Sequence, residues 1–199
     1  MPLPDIPRAE EWMALLEARL PQKNIHHCLS VANYAAYAAD RSGVDRIEAA
    51  TAGMLHDIHK ATPKRRLVEL AEAWDIPITE VQRQKPKLLH APVAAEECRR
   101  ELGITSDAIY EAIWWHTTGT PEMGPVAMVL YLADFSEPLR IHPEAPHARD
   151  IFENKGLWPA LRYVAQSKLR YATLKPPVDP NTRAFSEWLN NAEPAARAE

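Results

Sequence analysis

The stretch Ala52-Gly53-Met54-Leu55-His56-Asp57-Ile58-His59-Lys60 sets an imidazole beside a carboxylate at the end of an alanine-rich run. Both groups are ligands for divalent metals. Successive helical residues diverge by about 100°. His56 and Asp57 therefore grip one ion only if it lies between them and other elements complete the shell. Lys60, three residues beyond Asp57, returns to much the same face. A His-Asp pair is common by chance, so the chemistry depends on the partners it meets.

Four further residues are candidates for that shell. His27 shares a helical face with Val31 and Ala35, an apolar stripe that turns it inward. Asp134 follows Leu130 and Tyr131 near the end of the most hydrophobic segment, where a carboxylate is costly unless it is paired or coordinates a metal. His90 precedes Pro92 at a helix start, and His116 ends its own helix, in Trp114-Trp115-His116-Thr117-Thr118-Gly119. Singly, each histidine also reads as a packed core residue, Asp134 as a buried cap, and Lys60 as a helix-end lysine favoured by the dipole. His26, His59, His142 and His147 read as bystanders. Of these, His59 is placed to reach a metal's outer shell.

The elements that must position these groups are helices throughout. An amphipathic helix is expected over 8–20, with Trp12, Leu15, Leu16 and Leu20 on one stripe, after a stiff, poorly ordered lead-in carrying Pro2, Pro4 and Pro7. Two long helices follow over 24–41 and 45–59, with Gly43 closing the first. Thr62-Pro63 reads as N-cap and first residue of a helix through Trp74. Residues 75–87 are irregular or a single helical stretch. Further helices are expected from 88 to 102, from Thr105 or Ser106 to 117, and over 126–136. A Pro-rich loop over 141–147 leads to a helix over 148–173, broken near 156–159. A last helix over 181–190 ends in an Ala/Glu/Arg tail. With no alternating run and no repeat, the fold class is an all-α bundle of one domain. Its core is expected over about 22–140, with a C-terminal helical extension over about 147–192.

Composition narrows the partners. The chain has 199 residues, 46% of them hydrophobic, and 23 basic against 27 acidic residues. That net charge of −4 argues against a nucleic-acid polymer, though not against a small nucleotide. The two cysteines, Cys28 and Cys98, form no Cys-x-x-Cys and fit free buried thiols in a reducing cytoplasm. Cys28 beside His27 could suggest a thiol nucleophile, but adjacent helical residues face apart. Charges before the first apolar run exclude a signal peptide, and the longest uncharged apolar segment, 126–133, is too short to span a bilayer. A homodimer is compatible with a small bundle carrying six tryptophans.

The order His27, His56-Asp57, Asp134 resembles the H…HD…D signature of HD-domain metal-dependent phosphohydrolases. Leu88-Leu89-His90-Ala91-Pro92-Val93, Ile113-Trp114-Trp115-His116-Thr117-Thr118-Gly119 and Tyr131-Leu132-Ala133-Asp134-Phe135-Ser136-Glu137-Pro138-Leu139-Arg140 narrow it to the YqeK-type branch, the symmetrical bis(5'-nucleosyl)-tetraphosphatases. The likeness covers 24–140, with an echo at Val178-Asp179-Pro180-Asn181-Thr182. The resemblance implies one metal held by His27, His56, Asp57 and Asp134, and a second by His90 and His116 with Asp57 bridging. It also implies symmetrical hydrolysis of diadenosine tetraphosphate to two nucleoside diphosphates. His56, Asp57 and Lys60 would be catalytic, and Lys60, Thr117, Thr118, Gly119, Arg140 and His59 would face substrate. Mixed imidazole and carboxylate ligands suit iron first, with manganese, cobalt or nickel as alternatives. Paired ions can acidify a shared water and clamp both oxygens of an in-line displacement. Lys64-Arg65-Arg66 reads as a phosphate-attracting rim or as solvated surface. The family's usual arginine, glycine and lysine are here Asn24, Ala94 and Met128. These departures leave open a different nucleotide phosphohydrolase, or a non-catalytic nucleotide-sensing domain that kept its metals.

Overall fold

The computed structural model describes residues 1–191, and among them every regular element is a helix. In chain order these are α1 Ala9–Arg19, α2 Gln22–Ser42, α3 Arg46–Leu55, α4 Lys64–Ala73, α5 Glu80–Gln84, a 3-10 turn Pro86–Leu89, α6 His90–Arg100, α7 Asp107–Trp115, α8 Pro125–Ser136, α9 Glu144–Lys155, α10 Leu157–Thr173 and α11 Pro180–Asn191. The expected tail, and residue 192 of the expected extension, lie outside the described residues.

Local chemistry sets most boundaries. Gly43 closes α2 in the left-handed conformation that lacks a penalty only for glycine. Asp45 caps α3 by accepting from the Glu48 N–H, and Ser106 caps α7 by accepting from Ile109. Thr79 and Gln82 form a capping box at α5, so the unplaced 75–87 region resolves into a short helix and a 3-10 turn. Gly156, with φ 82°, separates α9 from α10, as the expected break required.

One apolar cluster joins α1, α2, α3, α7 and α8 to α9, α10 and α11, so the C-terminal helices pack on the same core as the ligand-bearing ones. α8 lies at its centre, with Val129 to Ala133 at 0% exposure. A smaller cluster around Leu67, Ala71, Ile76, Leu89 and Val93 seats α4 against the start of α6. All six tryptophans pack against one of these two clusters.

Four expectations are corrected. The lead-in is docked: Pro4 is buried, Ile6 packs on the main core, and the Pro2 carbonyl accepts from Asn33. Residues 141–147 are not all loop, because α9 starts at Glu144. Pro146 falls in its first turn, where a missing N–H costs nothing. Thr62 does not cap α4; Pro63 precedes Lys64 there, and the Thr62 hydroxyl instead meets His59 Nδ1 at 3.0 Å. The expected 45–59 helix stops at Leu55, and 56–60 continue in tighter turns, with Ile58 N–H on Leu55 O and Lys60 N–H on Asp57 O. That tightening bears directly on the ligands.

Candidate metal centre

The α2–α3 crossing places the first ligands. Gly53 meets α2 so closely that a Cβ on it would lie 2.7 Å from Ala32 Cα. Its carbonyl accepts from His56 Nδ1 at 2.8 Å, which fixes the tautomer and leaves the Nε2 lone pair free. His90 and His116 repeat the device: their Nδ1 atoms donate to Lys87 O at 2.5 Å and Ile113 O at 2.7 Å. His27, from the next turn of α2, donates Nδ1 to Glu137 Oε1 at 3.0 Å. Four imidazoles on four segments therefore aim Nε2 inward.

Asp57 stands between them, and its two oxygens divide. Oδ2 lies 3.6 Å from His56 Nε2 and 3.8 Å from His27 Nε2. Oδ1 lies 3.2 Å from His90 Nε2 and 3.4 Å from His116 Nε2. Asp134 Oδ1 joins the first group, 3.2 Å from His27 Nε2 and 3.8 Å from His56 Nε2. His27, His56 and Asp57 form one set with metal-ligand spacing, and Asp57, His90 and His116 form another. The buried His56 Nε2 has no hydrogen-bond partner. A buried polar atom left so is costly unless something else satisfies it, and a divalent cation among these donors would do so.

The electrostatics suit a cation. Burial opposes the charged form of Asp57, yet the Lys60 ammonium beside it holds its carboxyl well below the usual range. Burial likewise opposes Asp134, which His27, Lys168 and Arg140 keep ionised. Burial pushes His56 down to about 3 and His90 down to about 4, so both are neutral ligands. Burial also disfavours a charged His27, but hydrogen bonds to Asp134 and Glu137 prevail and push it up to about 9. A metal would replace that proton.

Around the cluster the expected substrate residues fare unequally. Lys60 Nζ stands 3.1 Å from Asp57 Oδ1 and 3.2 Å from His90 Nε2. Arg140 reaches Asp134 Oδ1 at 2.8 Å and His27 Nε2 at 3.2 Å. Thr117 Oγ1 is 3.0 Å from His116 Nε2, and Thr118 lines the cavity beside it. Two residues are not brought to the site. His59 turns the other way, its Nε2 bonded to Glu97 of α6. Gly119 is buried under α11, where a Cβ would sit 2.3 Å from the Phe185 ring, and its N–H is spent on Trp115 O. Arg65 and Arg66 pair with Glu69 on the exposed face of α4, so that run is solvated surface.

Two groups escaped the sequence reading. Glu137, named only within the motif around Asp134, is buried and joins His27 to Ser30. Lys168 donates to the His116 carbonyl at 2.9 Å and lies 3.6 Å from Asp134 Oδ2. Its signal was available: it continues the apolar stripe Leu161, Val164, Ala165 of α10 at helical spacing. Met128, one of the departures from the family pattern, is a partly buried residue against the core. Cys28 is fully buried and burial raises its thiol pKa well above the usual range, which closes the nucleophile reading.

Two cavities flank the cluster and share Lys60 and Arg140. One, of about 730 Å³, runs along α10 past Thr117, Phe135 and Tyr171. The other, of about 620 Å³, opens by Lys23, Asn24 and His27.

Residues 24–138, more than half of the chain, match the HD domain family. The chain belongs to the HD-domain family. The six candidate metal ligands fall inside that segment, whereas α9, α10 and α11 follow it. The protein named symmetrical bis(5'-nucleosyl)-tetraphosphatase of Bacillus subtilis is 30% identical over 180 residues, which covers 90% of this chain and 96% of that one. A protein of the same name from Staphylococcus aureus is 29% identical, covering 74% of this chain and 75% of that one. A crystal structure from Clostridium acetobutylicum, titled a predicted HD superfamily hydrolase involved in NAD metabolism, superposes with a TM-score of 0.86 at 24% identity. It covers 91% of this chain and 96% of that one. At that identity it speaks to the fold, which thus extends through the C-terminal helices. No helix among the described residues is long and apolar enough to cross a membrane.

Proposed function

We propose that the chain hydrolyses diadenosine tetraphosphate, or a related dinucleoside polyphosphate, symmetrically into two nucleoside diphosphates. On this reading one divalent ion is held by His27, His56, Asp57 and Asp134, and a second by Asp57, His90 and His116. Iron is the first choice, with manganese, cobalt and nickel as alternatives. The core over 22–140 and the helices that follow it act as one domain. The observation that carries the proposal is the division of Asp57, whose Oδ1 and Oδ2 face different imidazole pairs. A bridging carboxylate is what a two-metal phosphohydrolase needs.

Bound divalent ions supply Lewis acidity toward water and phosphate oxygens. The remaining work falls to side chains. Asp57 and Asp134 hold negative charge in a buried site, and the Nδ1 bonds keep each imidazole in its ligating tautomer. Lys60 and Arg140 line both cavities, where they can hold phosphate oxygens as charge develops. The Thr117 hydroxyl adds a donor on the His116 side. Water attacks one of the two central phosphorus atoms, the bridging P–O bond between them breaks, and the departing diphosphate leaves with its oxygen. Cavities on both sides of the cluster suit a substrate with a nucleoside at each end, and the names of the relatives point to the same substrate.

Metal-loaded protein should convert diadenosine tetraphosphate to ADP alone on chromatography. Production of AMP with ATP, or no turnover with iron, manganese, cobalt or nickel, would sink the reading.

A further inference from the structure

We infer that Lys168, from α10 beyond the matched HD segment, binds the phosphate chain of the substrate. The inference rests on the reading above, which makes the 730 Å³ cavity a polyphosphate site.

Lys168 sits where α10 should be apolar, one turn beyond Val164 and Ala165, and its side chain is only 16% exposed. Burying an ammonium is costly unless its donors are used. The amine carries three N–H donors. One goes to the His116 carbonyl at 2.9 Å. The Tyr131 ring lies under it at 3.8 Å, and Asp134 Oδ2 at 3.6 Å is beyond hydrogen-bond reach. The amine is therefore only partly satisfied, and it faces the same cavity as Lys60 and Arg140.

The other lysines of that wall are placed differently. Lys85 donates to the Lys175 and Pro177 carbonyls, and Lys175 is exposed to solvent, where it meets the exposed Tyr171 hydroxyl. Lys60 and Arg140 reach the cavity from the 56–60 turn and from the segment after α8. Lys168, paired with Asp134 Oδ2 at 3.6 Å, is the cation placed to meet phosphate from the α10 side. A purely structural amine, kept to cap the His116 carbonyl, would not need to line the cavity.

The test measures binding of inorganic pyrophosphate and ADP to manganese-loaded protein by calorimetry, with metal content determined on each sample. Lys168→Met preserves volume and removes charge; Lys168→Gln retains a donor for the His116 carbonyl and is used if the methionine variant does not fold. Both should bind pyrophosphate and ADP roughly tenfold to a hundredfold more weakly, with metal content unchanged, and Lys168→Arg should recover most of the loss. Unchanged affinity, weakening that merely tracks lost metal, or a wild type that does not bind pyrophosphate would overturn the assignment. A wild type that binds both ligands but releases AMP and ATP from diadenosine tetraphosphate would refute the symmetrical reading and leave Lys168 in place.

Discussion

Gly53 and Ala32 touch backbone to backbone: a Cβ on Gly53 would lie 2.7 Å from Ala32 Cα and 2.9 Å from its nitrogen. Neither obstacle is a side chain that could swing away. Gly53→Ala must push α3 off α2, and the displaced carbonyl is the one that holds His56 Nδ1. Overpacking of this kind costs about 1–3 kcal/mol. Urea denaturation should show that loss, and metal analysis should show weakened loading in the same variant.

Asp57 contributes to both ligand sets, whereas His90 contributes to one. Asp57→Asn should therefore strip both ions and His90→Ala only one. Elemental analysis should read about zero and about one metal per chain against two for the unaltered protein. Equal losses in the two variants would remove the bridging role.

Glu137 never touches an ion in this arrangement but orients His27 through Nδ1. Partners of this kind are worth roughly 10–100-fold in metal affinity. Glu137→Gln should weaken binding at the His27 side by that factor, measured by competition with a chelator, while the His90 side keeps its ion. A loss confined to the His90 side would contradict the geometry.

Behind the metal-bearing turn, Glu97 receives His59 and Arg19. Burial would raise its pKa, but these two partners outweigh it and lower the carboxyl to about 2. The unfolded value is about 4.3. A carboxylate depressed on folding stabilises the native state above its unfolded pKa, and that contribution is lost as pH falls toward the folded value. The unfolding free energy from denaturant titrations should thus fall between about pH 4.5 and pH 2, by an amount on the order of 2–3 kcal/mol. Glu97→Gln should flatten that part of the profile.

The candidate ligands were legible because each is a polar residue in an apolar stretch, a pattern that needs a physical excuse. His27, Asp134 and the His56-Asp57 pair all stood out that way. The turn from 56 to 60 was not legible, since five residues cannot distinguish a tightening helix from an α-helix by periodicity. Yet that tightening brings adjacent side chains to one centre. The role of Glu137 depends on α2 and α8 meeting across 110 residues, which no local pattern records. Gly119 looked like a substrate contact because glycine permits close approach; the body that approaches is Phe185. His59 lies two residues beyond Asp57 and still faces Glu97, because the turn rotates it away.

Three of the imidazoles lean on a main-chain oxygen three positions earlier in the chain. Their aim is thus anchored to the scaffold and does not wait for an ion to impose it. A receptor shaped in advance by its own peptide groups spends little ordering on loading and offers nitrogen and oxygen to any first-row cation of suitable size. Which element occupies it inside a cell is then a matter of supply, and the same polypeptide should exchange one transition metal for another without refolding.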